Sequence, residues 1–144
     1  MTMIIKEISQ VTPALIEAFQ KLITQLSSSA SAPSRQDLEE IVTNPGAILF
    51  VAEEGEKILG SLTLIFFRIP VGMRGRIEDV VVDETARGKG IGSALILSAI
   101  EKAKTMNVQV IDLTSKPDRE AANRLYQNLG FVKKDTNVYR YKFD

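Results

Sequence analysis

The chain has 144 residues, of which 44% are hydrophobic and 25% are charged, a composition close to that of soluble globular proteins and unlike that of collagen-like, disordered or membrane-spanning chains. This length accommodates one domain, residues 1–144, and leaves no room for a second. The 18 basic and 18 acidic side chains give a net charge of zero, which argues against a broad nucleic-acid-binding surface.

The first half of the chain predicts a strand, two helices and a β-hairpin. Thr12 followed by Pro13 is typical of a helix start, with threonine as the N-cap and proline as the first helical residue. The small residues of 27–33 predict the loop before a second helix, which begins at Ser34 or Asp37. The expected elements are a strand at 4–8, helices at 12–26 and 34–44, and hairpin strands at 48–52 and 57–67.

The next segment predicts a β-α-β unit. Residues 76–83 and 108–113 are largely apolar runs typical of buried strands, and the apolar residues of 90–106 recur at helical spacing. Two strands joined by one helix are expected to lie parallel, with a right-handed crossover.

The end of the chain predicts one more helix and two strands. Residues 115–118 resemble a capping box that opens the helix, and Gly130 is typical of its end. Residues 131–134 and 138–143 are expected to be strands. The complete order is then β-α-α-β-β-β-α-β-α-β-β, which predicts an α/β domain with a mixed sheet.

The most informative motif is a glycine loop, defined as residues 87–92 with the sequence Arg-Gly-Lys-Gly-Ile-Gly. The loop leads from a strand into a helix, and glycines beside a helix N-terminus are typical of a phosphate-binding site. A P-loop would need Ser or Thr where Gly90 stands, and a dinucleotide-binding motif would need glycine at Ser93 or Leu95. A glycine turn that only packs the helix against the sheet is the remaining alternative.

Three motifs in order, RxxGxG at 87–92, NxxY at 123–126 and LGF at 129–131, together resemble the GNAT superfamily of acetyl-coenzyme A dependent N-acetyltransferases. The resemblance is strongest over residues 77–131. It implies a single GNAT-like α/β domain in which helices cover both faces of a central, mixed and mostly antiparallel sheet. It also implies acetyl-coenzyme A as the co-substrate.

The resemblance implies where coenzyme A binds. Its pyrophosphate would contact the backbone amides of 87–93, and its pantetheine arm would pair like an added strand with 80–82. An apolar strand whose edge is opened by a bulge needs such a partner for its backbone groups, and an amide there could stabilise charge on the thioester oxygen. The coenzyme A contacts expected are Val80, Val81, Val82, Arg87, Gly88, Lys89, Gly90, Ile91, Gly92, Ser93, Asn123 and Tyr126.

Three residues are candidates for catalysis. Tyr126 occupies the position where the family often has a tyrosine proposed to protonate the departing thiolate, and its alternative role is to pack beside Phe131. Glu78 and Asp79 lie in an apolar strand, where a carboxylate withdrawn from water can accept the proton of the amine. Strand alternation places these two on opposite faces unless a bulge intervenes. Glu78 is favoured because the family often has a water-linked glutamate in this strand.

Each of these assignments has a structural alternative. Glu78 or Asp79 can instead make a hydrogen bond to the sheet edge or to a loop amide. Asn123, one helical turn before Tyr126, is expected to hold coenzyme A or a water molecule, and its alternative is an exposed polar face.

The chain contains no cysteine and no histidine. This excludes a thiol acyl-enzyme, a Ser-His-Asp hydrolase and sulfur- or imidazole-ligated metal sites, so no metal is expected. The amine is therefore expected to attack the thioester directly in a ternary complex.

The leading hypothesis is an N-acetyltransferase acting on a primary amine of a small molecule or a peptide. One alternative is a non-catalytic acyl-coenzyme A sensor on the same fold. Another is an amino-sugar phosphate acceptor, because residues 77–80 also resemble those of glucosamine phosphate acetyltransferases. We expect no nucleic-acid or membrane partner, leave a homodimer open, and expect a cytoplasmic location because residues 1–6 lack a signal-peptide pattern.

Overall fold

A mixed five-stranded sheet is the framework of the fold. The computed structural model describes residues 2–144, and its strands pair in chain order. All neighbouring strands are antiparallel except the last two, which are parallel. The strands are β1 Met3–Glu7, β2 Ala47–Glu54, β3 Lys57–Ile69, β4 Gly72–Val82 and β5 Val110–Asp112.

Four helices accompany the sheet. They are α1 Pro13–Leu26, α2 Arg35–Val42, α3 Ile91–Thr105 and α4 Glu120–Asn128, and a short 3₁₀ turn spans Glu84–Ala86. Thr12 caps α1 by accepting a hydrogen bond from the Leu15 amide at 3.2 Å. Ser34 and Asp37 cap α2 with a reciprocal capping box. The two helix starts expected from the sequence are thus confirmed.

The helices α1 and α2 pack on one face of the sheet and α3 packs on the other. Val51 of β2 belongs to the core shared with α1 and α2. Gly60 of β3 faces α3, because a Cβ at this position would lie 3.3 Å from side-chain atoms of Ile91 and Leu95. Val51 pairs with Ser61, the neighbour of Gly60, so the two faces alternate as strand geometry requires. The buried core beneath α1 and α2 contains Leu15, Phe19, Ile23, Leu38, Leu49 and Val51.

Residues of the chain fall into two compact units, the first ending at Leu113 and the second spanning Thr114–Asp144. The sheet and α1 to α3 belong to the first unit, and α4 belongs to the second. The expected α/β class with a mixed, mostly antiparallel sheet is confirmed. Among residues 2–144, no helix is both long enough and apolar enough to cross a membrane.

The two C-terminal strands expected at 131–134 and 138–143 are wrong, because the structure forms no strand in 131–144. Aromatic and basic residues do alternate over 139–143, yet Tyr139 is 88% exposed and Phe143 is 84% exposed. Alternation favours a strand only where another strand supplies hydrogen-bond partners, and a sequence pattern does not report the partner.

Two smaller expectations in this region are also wrong. The strand expected to be buried over 108–113 is a three-residue edge strand, and its Val110 is 41% exposed. The helix expected from the capping box at 115–118 begins instead at Glu120, after an Arg119 N-cap that makes no side-chain capping bond. A serine followed three residues later by an aspartate fits the capping-box pattern, but the pattern alone does not make a helix begin there.

Candidate active site

A β-bulge interrupts β4 near its C-terminal end. Thr63 of β3 pairs with Glu78 and Ser61 pairs with Val81, so one residue of β3 lies opposite two residues of β4. Asp79 lies in the bulge with a φ of 52°, a left-handed conformation that aspartate tolerates better than most residues. A bulge was the condition under which strand alternation would not apply to Glu78 and Asp79, and the structure contains it.

The bulge brings Glu78 and Val81 to the same face of the sheet. Paired residues of antiparallel strands share a face, and Thr63 and Ser61 are two residues apart on β3. This face is the one that carries α1 and α2, because Ser61 pairs with Val51 of their core. Without the bulge, Glu78 and Val81 would point in opposite directions.

From residue 77 onward, one side of β4 is open within the described residues. The parallel strand β5 pairs only with Arg74 to Arg76, so residues 77–82 have no ladder partner on that side within the described residues. Val80, Val81 and Val82 lie in this stretch, and Val81 is 5% exposed while its neighbours are half-buried. An extended chain with amide groups could pair with this free edge.

The glycine loop leaves β4 through the turn Glu84–Ala86 and enters α3. Gly88 and Gly90 have φ values of 80° and 78°, which only glycine adopts without strain. Gly90 is the N-cap of α3 and supplies no side-chain capping bond, in contrast to Thr12 at α1 and Ser34 at α2. The first amides of α3 are thus left for another acceptor.

The space around the two glycines is empty. A Cβ built at Gly88 or at Gly90 would have no heavy atom within 4 Å. If these glycines served only to pack α3 against the sheet, a neighbouring atom would lie close to them, as happens at Gly60. The loop backbone instead faces open space, and Arg87, Lys89 and Gly90 are all exposed.

The two acidic residues of β4 have different surroundings. Nε and Nη2 of Arg76 donate hydrogen bonds to Oε1 of Glu78 at 3.0 and 2.9 Å, which fixes the direction of that carboxylate. Asp79 is exposed, but partial withdrawal from water raises the pKa of its carboxyl, and the nearby Glu78 carboxylate adds to the rise. Arg76 was not singled out from the sequence, although its i, i+2 spacing from Glu78 was a usable signal.

The second unit contains the two remaining candidates, both on α4. Nδ2 of Asn123 donates hydrogen bonds to the carbonyl oxygens of Lys116 and Arg119, each at 2.9 Å. Its amide nitrogen therefore stabilises the start of α4, and only its oxygen is left for a ligand. Asn123 is half-buried and makes these two local hydrogen bonds, so it does not simply form part of an exposed polar face.

Tyr126 is the one buried residue of α4, with 7% of its surface exposed. Its ring packs edge-on against Phe131 with the centroids 6.1 Å apart. Burial raises the pKa of the Tyr126 phenol, and the Arg119 guanidinium opposes this rise. The phenol consequently stays protonated to a higher pH than an exposed tyrosine does.

The structure therefore assembles Glu78, Asp79, 80–82 and the glycine loop within the first unit, and Asn123 and Tyr126 within the second. Sequence reasoning did not single out Asp83, a buried carboxylate directly after β4. Its flanking acidic neighbour Glu84 made it resemble an ordinary exposed residue, so no pattern distinguished it.

One family profile matches most of the chain. Residues 13–131 match the profile described as the Acetyltransferase (GNAT) family. A mycothiol acetyltransferase of Paenarthrobacter aurescens (strain TC1) is 36% identical over 94 residues, which cover 65% of this chain and 29% of that protein. The chain thus spans less than a third of that relative.

Solved structures support the same fold. A transcriptional regulator from Bacillus halodurans C-125 is 29% identical with a TM-score of 0.80, and the match covers 99% of this chain and 100% of that one. The glucosamine-6-phosphate N-acetyltransferase from Arabidopsis thaliana is 24% identical with a TM-score of 0.78, and both chains are fully covered. The second likeness concerns the fold alone.

Proposed function

Because the chain belongs to the acetyltransferase (GNAT) family, we propose that it transfers the acetyl group of acetyl-coenzyme A to a primary amine. Family membership supports the acyltransferase class and the acetyl-coenzyme A donor expected from the sequence. The observation that most supports binding of this donor is the glycine loop, whose backbone is open to a ligand at the N-terminus of α3.

The residues present fit the donor. Phosphate oxygens need amide donors and positive charge, and the loop offers the uncapped amides of α3 together with Arg87 and Lys89. The free edge of β4 at 80–82 can pair with an extended amide chain. The remaining donor contacts proposed are Gly88, Gly90, Ile91, Gly92, Ser93 and the side-chain oxygen of Asn123.

The donor supplies an acetyl thioester, and the chain's residues supply the proton transfers. Glu78 is proposed to accept the proton of the attacking amine, directly or through water, with Arg76 holding its carboxylate in place. Tyr126 is proposed to protonate the leaving thiolate. A β4 amide in 80–82 is proposed to hydrogen-bond the thioester oxygen as it gains charge, a contribution of about 3 kcal/mol.

Glu78→Gln is expected to lower turnover by about tenfold to a hundredfold, because the amide cannot accept the proton while its shape is retained. Asp79→Asn is the matched comparison, since asparagine tolerates the left-handed φ of the bulge. Steady-state rates for the two variants assign the base. A larger loss for Asp79→Asn would transfer the role to Asp79, whose raised pKa also suits a base.

An amino-sugar phosphate is the acceptor class favoured by one further observation. Arg74 and Arg76 lie two residues apart on β4 and therefore share the face that carries Glu78. Both are half-buried, and Arg74 makes no ion pair among residues 2–144. A guanidinium in this position suits an anionic group on the acceptor, although Asp112 of β5 lies opposite Arg76.

Thermal unfolding with ligands tests the donor assignment. Acetyl-coenzyme A is expected to raise the Tm by mass action, and NADH and ATP are expected to raise it less at equal concentration. No shift with acetyl-coenzyme A at millimolar concentration would contradict the donor site. A shift without turnover on any amine would favour the non-catalytic sensor.

A further inference from the structure

Asp83 is a buried acid to which neither donor binding nor catalysis assigns a role. Only 4% of its surface is exposed, and among the described residues Ser61 is the only other buried polar residue. A carboxylate in such a place destabilises a fold unless charged and hydrogen-bonding partners surround it.

The partners of Asp83 come from two directions. Nζ of Lys21, on α1, lies 3.1 Å from Oδ2. The amide and the hydroxyl of Thr85 both donate to Oδ1 at 3.2 Å. Burial alone would raise the pKa of Asp83, but the Thr85 amide and the Lys21 ammonium lower it below its ordinary value, so the group is held as a carboxylate.

Gln25 adds a second connection from the same helix. Its Nε2 donates to Oδ1 of Asp83 at 3.5 Å, and its Oε1 accepts a hydrogen bond from the Glu84 amide at 2.8 Å. Lys21 and Gln25 are four residues apart, so they project from the same face of α1. We name Lys21, Gln25 and Asp83 the Asp83 clamp.

The clamp lies at the base of the glycine loop. Asp83 caps the turn Glu84–Ala86, whose last amide donates to the Asp83 carbonyl oxygen at 2.8 Å, and Ala86 is 2% exposed. Arg87 follows directly, and its Nε donates to the Val82 carbonyl oxygen at 3.3 Å. From Gly88 to Gly90 the loop faces open space, so its direction depends on how this base is held.

We propose that Asp83 is a positioning residue for the donor, and that Lys21 and Gln25 hold it so that the glycine loop leaves β4 in the direction coenzyme A requires. The inference rests on the proposed function. A misplacement of about 1 Å at the base of the loop is enough to weaken contacts made by its amides. The clamp also connects the base of the glycine loop to α1, a helix for which no contact with coenzyme A is proposed.

The test compares two lysines that make ion pairs of equal length. Lys21→Met removes the ammonium and keeps the aliphatic stem, and Lys6→Met does the same to the Lys6–Glu53 pair of β1 and β2, also 3.1 Å long. Isothermal titration with coenzyme A is expected to show an affinity at least about fivefold weaker for Lys21→Met, since a hydrogen-bonded charge is lost. Lys6→Met is expected to bind like the parent.

Two further readouts separate positioning from a general loss of stability. Lys21→Arg restores the charge and is expected to bind within about twofold of the parent. The Tm is expected to fall further in Lys21→Met than in Lys6→Met, because the Asp83 side chain is buried and that of Glu53 is partly exposed, so the titrations are run at a temperature where both variants are folded. At saturating acetyl-coenzyme A, Lys21→Met is expected to retain kcat within about twofold, so that the loss appears in the KM for the donor.

Gln25→Leu is the second clamp variant, because it removes both bonds to residues 83 and 84 from a half-buried helix position. Parent-like affinity for coenzyme A in both Lys21→Met and Gln25→Leu would overturn the inference, as would an equal loss in Lys6→Met. A parent protein that did not bind coenzyme A would contradict the proposed donor site itself, and the inference with it.

Discussion

Replacement of Tyr126 by phenylalanine is expected to lower turnover by about tenfold to a thousandfold while coenzyme A affinity stays nearly unchanged. The substitution removes only the hydroxyl. The ring keeps its edge-on contact with Phe131, so the free energy of unfolding should change by no more than about 1 kcal/mol. Burial raises the pKa of the phenol, which keeps the acid form available throughout the neutral range.

Tyr139→Phe is the matched control for this change, because Tyr139 is 88% exposed and lies in the C-terminal segment. It is expected to turn over like the parent. A donor whose leaving thiol is more acidic needs less protonation, so Tyr126→Phe should recover part of its rate with such a donor. Parent-like turnover of Tyr126→Phe, where chemistry limits the rate, would exclude Tyr126 as the acid.

Gly90→Ala is expected to weaken coenzyme A binding by more than about tenfold. A methyl group here would occupy the open space that the backbone presents to a ligand, and alanine is strained by about 1–2 kcal/mol at the left-handed φ of 78°. The strained residue would also tend to leave this conformation and turn the amides away. Isothermal titration with coenzyme A measures the loss.

Gly55→Ala separates backbone strain from ligand contact. Gly55 has a φ of 64° in the turn between β2 and β3, so it carries a similar penalty at a site to which no donor contact is assigned. Both variants should lose similar amounts of Tm, and only Gly90→Ala should lose affinity. Affinity within about threefold of the parent in Gly90→Ala would mean that the loop glycines serve the backbone turn alone.

Local signals explain why the starts of α1 and α2 were predictable. Each of these helices begins with a capping pattern of at most four consecutive residues, Thr12 with Pro13 in α1 and Ser34 with Asp37 in α2. The structure forms both caps. The glycine loop was predictable for the same reason, because a left-handed φ at Gly88 and Gly90 leaves glycine as the unstrained choice.

Features that depend on distant partners were not predictable in this way. The bulge at Asp79 is defined by the register of β3 against β4, and one sequence does not state a register. In the Asp83 clamp, Gln25 lies 58 positions and Lys21 lies 62 positions before Asp83 in the sequence. No local pattern around Lys21 or Gln25 therefore indicates the contact. The alternating residues of 138–143 lacked the strand partner that their pattern required.

Thiol release from acetyl-coenzyme A in the presence of amines tests the central claim most directly. The panel contains glucosamine 6-phosphate, glucosamine, amino acids and peptides with a free N-terminus or lysine. Acetyl transfer predicts release that depends on one class of amine and that falls in both Glu78→Gln and Tyr126→Phe. Coenzyme A binding accompanied by amine-independent thiol release, equal in the parent and in both variants, would contradict it.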